Sequence, residues 1–279
     1  MMKTDMGKAL AALVAVGISV SVAACGGNNV QGAQQGTSSA TADGGERVSK
    51  ATAVFFDSKT EIPAEKAFGT KSVWFDKGSG VDLSEDATVD YIYVFDGSGG
   101  VTAYQTGYYP PSTGIGAVTT TYGDLLGLSE EGLIQLAKDR DRDCFENTLE
   151  NYRSTSAKFF ADKAEQDSAN AEGITKKGEA FQKILSKTTY EGPQAQPFYL
   201  KANGSGEETL SFRIRRFNEH NANSYLEGNS NTGTFETVNT DLDLQPADAV
   251  QLDGMRLQGY SRLVTSVGAD NKGFTGVTP

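Results

Sequence analysis

The sequence predicts an α+β fold, with antiparallel sheet segments flanking a helical middle section. Three observations carry this. Residues 89–95 form an apolar strand followed by Asp96-Gly97-Ser98-Gly99-Gly100 and a returning run over 101–104, the pattern of a β-hairpin. Residues 129–187 place apolar side chains three and four apart between charged ones, the period of amphipathic helices. From 191 onward the chain breaks into short alternating pieces separated by Asn, Asp, Gly and Pro, which reads as strands and compact loops.

Taken in order, the first strand candidates are Val54-Phe55-Phe56, stopped by Asp57 and Ser58, and Val73-Trp74-Phe75, stopped by Asp76 and the glycines after it. In the strongest strand, Val89, Tyr91, Tyr93 and Phe95 share one face while Ile92 and Val94 share the other. Only Asp90 interrupts the apolar character, so the strand is expected to be covered on both sides, with helices as the cover. The glycine cluster after it lacks both the Gly-Lys-Ser/Thr ending and the following helix of a phosphate loop, and a hairpin accounts for it better.

Ser129 is placed to cap a helix through Leu133, Leu136 and Ala137, with Glu130 and Glu131 in its favourable first turn. A longer helix is expected from about Asp143, with a stripe of Phe145, Leu149, Tyr152, Ser156 and Phe159 or Phe160. A break near Gly173 precedes a shorter helix over 175–187 with Phe181, Ile184 and Leu185 inward. Between the first two, Asp139, Asp141 and Asp143 with Glu150 superficially match the ligand spacing of a calcium loop. Cys144 stands where that loop needs its turn glycine, however, and Arg140 and Arg142 neutralise the field, so an acidic-basic helix junction or a salt-bridged surface is the better reading. In the C-terminal part, residues 198–200 and 210–217 form a second hairpin. Its return strand points Leu210, Phe212 and Ile214 one way and Ser211, Arg213 and Arg215 the other.

The N-terminus carries Lys3 and Lys8, diluted by Asp5, and then an uncharged run from Ala9 to Ala24 rich in Ala, Leu and Val. That run is too short and too alanine-rich for a good membrane-spanning helix and reads as a signal peptide. Its last residues, Val22-Ala23-Ala24-Cys25, resemble the lipobox of bacterial lipoproteins. The resemblance implies diacylglyceryl transfer to the Cys25 sulfur and cleavage between Ala24 and Cys25, an anchor to the cell membrane from its outer side. An ordinary secretion signal with an incidental cysteine and an uncleaved membrane helix are the competing readings. Residues 26–47 hold Gly26, Gly27, Gly32, Gly36, Gly44 and Gly45 among Asn, Gln, Ser and Thr, with almost no apolar mass to offset the entropy of ordering. As a flexible tether this stretch spans roughly 25 Å. The expected organisation is a signal peptide over 1–24, a lipidated cysteine and tether over 25–47, an α+β domain over 48–190, and a β-rich segment over 191–279 that belongs to the same domain or stands alone.

Without residues 1–24 the chain has 23 basic and 35 acidic side chains, a net charge of −12. Such a surface disfavours nucleic acid and anionic lipid as partners. Cys25 and Cys144 are the only cysteines; with Cys25 lipidated, Cys144 has no partner and the expectation is a buried inert thiol. The sole histidine, His220, cannot assemble an imidazole metal cluster, and neither a Gly-x-Ser-x-Gly elbow nor a His-Glu-x-x-His pair occurs. No cofactor or metal is expected. Candidate ligand-binding residues are Tyr104, Tyr108 and Tyr109 beside Pro110-Pro111, read either as an exposed aromatic platform or as rings that cover the open end of the core, with Trp74 as a companion to the platform. Arg213 and Arg215 join them as the concentrated positive feature of an acidic body. The functional expectation is a membrane-anchored, non-enzymatic binding or envelope-structural lipoprotein, its partner an extracellular small molecule, glycan or protein. A carboxylate-based extracellular hydrolase of sugars or peptides is the alternative.

Overall fold

A computed structural model describes residues 52–78, 82–109, 116–202, 207–217, 222–228 and 235–277. It is an α+β structure. In chain order the elements are β1 (Ile62–Pro63), α1 (Ala64–Phe68), β2 (Ser72–Asp76), β3 (Tyr91–Phe95), β4 (Gly100–Gln105), α2 (Glu130–Gln166), α3 (Ala171–Lys187), β5 (Gln196–Pro197), β6 (Tyr199–Ala202), β7 (Glu208–Phe217), α4 (Ala222–Leu226), β8 (Phe235–Asp243), β9 (Pro246–Leu252), β10 (Met255–Tyr260), β11 (Leu263–Ser266) and β12 (Phe274–Thr275). A 3₁₀ turn at Tyr122–Leu125 precedes α2.

The main sheet has seven strands in the order β5-β4-β3-β2-β11-β10-β9, all neighbours antiparallel. Strand β2 sits at its centre, with β3 on one side and β11 on the other, so segments nearly two hundred residues apart share one sheet. The β11 contact is short in register, Leu263 opposite Asp76 and Val264 opposite Phe75, and is reinforced by Thr265 Oγ1 donating to the Val73 carbonyl at 2.7 Å. Residues 48–190 and 191–279 are therefore interleaved, and residues 48–279 form one compact unit.

Both faces of this sheet are covered, as the double-sided apolar pattern of β3 requires. On one face Val73, Phe75, Ile92, Leu257 and Val264 pack against Tyr122, Leu125, Leu133 and Ala137 of the 3₁₀ turn and the first part of α2. On the other, Trp74, Tyr93, Phe95 and Tyr260 pack against α1 and a second sheet, the three strands β6-β7-β8. That face is thus covered largely by another sheet rather than by helices alone: Leu210, Phe212 and Leu242 point inward, and the Phe212 ring meets Tyr93 edge-on at 5.4 Å. Trp74 is fully buried at the centre of this layer, its ring 5.0 Å from Phe68, 5.2 Å from Phe274 and 5.9 Å from Tyr260. Its indole N–H donates to Ser72 Oγ at 3.0 Å, so this buried donor is met. Gly259 on β10 lies against this ring: an added Cβ would stand 3.0 Å from a Trp74 ring carbon and 2.2 Å from the Leu263 carbonyl.

The two helices expected, one capped by Ser129 and one from about Asp143, are one continuous helix. The Ser129 cap is present, its Oγ accepting the Gly132 N–H at 3.2 Å, and α2 then runs 37 residues without interruption. The acid-base run does not break it because its charges are met along the helix: Gln135 donates to Asp139 at 2.9 Å, and Arg140 lies 3.6 Å from Asp143. Gly173 falls inside α3 and the break comes earlier, at Asp167. The distal half of α2 leaves the sheet and pairs with α3 and α4 around a separate core of Phe145, Leu149, Phe160, Ile174, Phe181 and Leu185, with Ile184 only half-buried. Residues 54–56, expected as a strand, contribute only a single bridge from Phe56 to Val267. Among the described residues no helix is long and apolar enough to cross a membrane.

Replacing Gly259 with Ala is predicted to lower stability by about 1–3 kcal/mol, because both the Leu263 backbone and the Trp74 ring must yield. Urea denaturation followed by the fluorescence of the sole tryptophan measures this, and an unchanged midpoint contradicts the packing described.

Candidate functional site

The outer face of the three-stranded sheet bears an open groove of about 430 Å³. Strand pairing builds it. Tyr199 on β6 lies opposite Ser211 on β7, which lies opposite Asp241 on β8; two residues along, Arg213 lies opposite Asn239. Alternation turns these side chains away from the core while Leu210, Phe212 and Ile214 point into it. The end of β5, with Gln196, supplies one wall, and Lys201 lies at the other end of the Tyr199 row. Within the groove Ser211 donates to Asp241, and Lys201 Nζ is 3.9 Å from the same carboxylate. Tyr199 is 61% exposed, and neither its ring nor the Arg213 guanidinium contacts a ring, hydrogen-bond or ion-pair partner among the described residues. A volume of this size lies within the range of small-ligand sites.

The candidate residues named from sequence are scattered over the fold. Arg213 lines the groove. Arg215 shares its face but is engaged elsewhere, donating to the carbonyls of Glu191 and Gly192 with the Glu191 carboxylate 3.5 Å away. Trp74 is a core residue. Tyr104 and Tyr108 are buried as well, so no exposed platform of three tyrosines exists. Tyr108 is packed beside Val118 and Cys144, its hydroxyl accepting from Asn151 at 3.1 Å. Tyr109 alone stays open, at 53% exposure, and donates to Asp90 at 3.2 Å. Residues 110–115, Cys25 and His220 lie outside the described residues. Tyr199 was missed by sequence reasoning, although its phase signalled it: it is the outward aromatic between inward Phe198 and Leu200.

Two acids, Asp76 and Asp141, have their pKa values raised by burial. Asp141, on α2, accepts the Gln105 N–H at 2.9 Å and the Tyr190 hydroxyl at 2.7 Å, clipping the helix to β4 and to the segment after α3. Burial raises its pKa, and those two hydrogen bonds oppose the rise. This arrangement overturns any calcium-loop reading: Asp139, Asp141 and Asp143 sit on a continuous helix and are spent on separate partners. Asp76, at the end of β2, is buried with its Oδ1 unmet by any hydrogen bond, Arg262 standing at 3.8 Å. Burial pushes its pKa up to about 6, with Asp90 adding to the rise and Arg262 opposing it. Cys144 is buried and desolvation, aided by Asp141 and Asp143, pushes its thiol up to about 12, the reverse of what a nucleophilic cysteine needs. Among the described residues no group of three or more potential ligands is placed to hold a metal ion.

No protein-family model, no curated protein and no solved structure matches the chain.

Two outcomes are expected here. Because Asp76 binds its proton more tightly folded than unfolded, stability falls as pH rises from about 4 to about 6 and levels off above that. Asp76→Asn removes this slope, so its stability relative to the parent should improve by about 2–3 kcal/mol between pH 4 and pH 7; a pH-independent difference in urea denaturation contradicts the assignment. In a Cys25→Ala background, Cys144 should resist a thiol reagent in the native protein and react fully in denaturant. Rapid native labelling contradicts its burial.

Proposed function

We propose that this chain is a bacterial lipoprotein, held at the outer side of a membrane by acyl chains on Cys25, whose body serves a non-enzymatic binding or envelope-structural role. The observation that carries the reading is Val22-Ala23-Ala24-Cys25 closing an uncharged apolar run behind Lys3 and Lys8. Two acyl chains, at roughly 0.8 kcal/mol per buried methylene, make attachment stable where one chain binds only marginally. The glycine-rich stretch after Cys25 then holds the folded body off the lipid headgroups.

A binding role, rather than a catalytic one, is supported by how the reactive side chains are used. The only thiol of the body is buried and hard to ionise. The two acids with raised pKa values are separated by the main sheet: Asp76 is on the face that holds Trp74, and Asp141 is on the helix covering the opposite face. They do not form the facing pair that carboxylate hydrolysis uses.

Expression of the full chain in a bacterial host with an alkyne-bearing fatty acid tests the anchor. The parent should carry the label and sediment with membranes. Cys25→Ala should carry none and move to the soluble fraction; membrane retention of that variant equal to the parent's contradicts the proposal.

A further inference from the structure

The groove on the outer face of β6-β7-β8 carries groups whose exposure and charge the fold itself does not use. Tyr199 projects its ring into solvent without packing on another aromatic among the described residues, although an inward phase was open to the same strand. One position across and two along, Arg213 carries no hydrogen bond or ion pair on its side chain among the described residues, in a chain whose net charge is −11 and where acidic partners are plentiful. Arg213 and Lys201 against Asp241 leave the groove net positive on this acidic chain. Across paired strands Cβ atoms lie about 5 Å apart, and alternate residues along one strand about 7 Å. An aromatic ring, a guanidinium, a carboxylate and an amide therefore surround a space the width of one sugar ring.

We propose that this groove binds an acidic saccharide, one whose pyranose rings carry carboxylates. The aromatic ring of Tyr199 takes the C–H face of the sugar, as exposed tyrosines do where one side of a ligand is apolar and its edge is polar. Arg213 receives the sugar carboxylate through its planar fork of donors. Asp241, held in place by Ser211, accepts from ring hydroxyls, and Asn239 both donates and accepts. A peptide ligand fits less well: among the groove's lining residues only Pro197, Tyr199 and the largely buried Phe212 are apolar, against six polar or charged ones. The proposal names the ligand class of the binding body proposed above and rests on that reading.

The test is calorimetric titration of the purified full chain, in detergent, with a trimer of galacturonic acid, the neutral trimer of galactose, and short polyglutamate. Saturable binding of the acidic trimer with a Kd below ~1 mM is expected, with the neutral trimer and polyglutamate at least about tenfold weaker. Tyr199→Ala and Arg213→Ala should each weaken the acidic trimer by about tenfold or more, while Tyr199→Phe, which keeps the ring, stays within about threefold of the parent. Both positions are on the surface, and unchanged circular dichroism confirms that the variants fold. The proposal is overturned by absence of saturable binding, by Tyr199→Ala or Arg213→Ala binding like the parent, or by equal affinity for the neutral trimer or polyglutamate. These readouts do not depend on Cys25, so failure here with lipid labelling intact removes the groove's ligand alone, and the converse result removes the anchor alone.

Discussion

The structure depends on the insertion of β11 beside β2. Strand β2 is buried on both faces and must be hydrogen-bonded along both edges, since an unpaired backbone group in that position costs as much as a lost hydrogen bond. Its own hairpin neighbour β3 satisfies one edge, and the other is met only by a strand from the far end of the chain. Once that pairing forms, Tyr260 and Phe274 close over Trp74, α1 is held against the same rings, and the three-stranded sheet has a surface to cover. The loop closure is long but its entropy grows only slowly with length.

From this constraint the division of labour follows. The main sheet needs both of its faces buried, so neither is available for a ligand. The second sheet needs only one, and its other face is left to water and to whatever the groove meets. The helical arm formed by distal α2, α3 and α4 keeps its own core, with Gly178 letting α3 come close to Phe160, where an added Cβ would stand 2.9 Å from the ring. Asp141 ties that arm to the sheet through Gln105 and Tyr190.

What the sequence disclosed was what is local. The hairpin of β3 and β4 was legible because the two-sided apolar run and the Asp96 turn are adjacent, and Asp96 Oδ1 does accept the N–H groups of Ser98 and Gly100 at 2.7 and 2.9 Å. The Ser129 cap and the alternation of β7 were legible for the same reason. Residues 54–56 had strand composition but meet the sheet only at one bridge, Phe55 donating to the Ser266 carbonyl and Phe56 accepting from Gly268, and nothing in their own pattern says so. Of the two readings of the acid-base run, the helix junction failed and the salt-bridged surface held, because charges that look disruptive in sequence are compatible at spacings of three and four. Of the two readings of the tyrosines beside the prolines, the lid on the core is the one Tyr104 and Tyr108 follow, the latter with its Asn151 partner, and only Tyr109 stays open. Half of the groove was legible: the outward phase of Arg213 followed from β7 alone. Its convergence with Tyr199 and Asp241 needed the cross-strand register, which no single segment contains.

Native-state hydrogen exchange tests the central claim most directly, read against the equilibrium unfolding seen by Trp74. If β2 and β11 belong to one cooperative sheet, the protected amides of β2, β3, β10 and β11 share a single opening free energy equal to the value from Trp74 emission. The contradicting result is β10 and β11 exchanging through a separate, lower-energy opening while Trp74 stays buried and β2 stays protected.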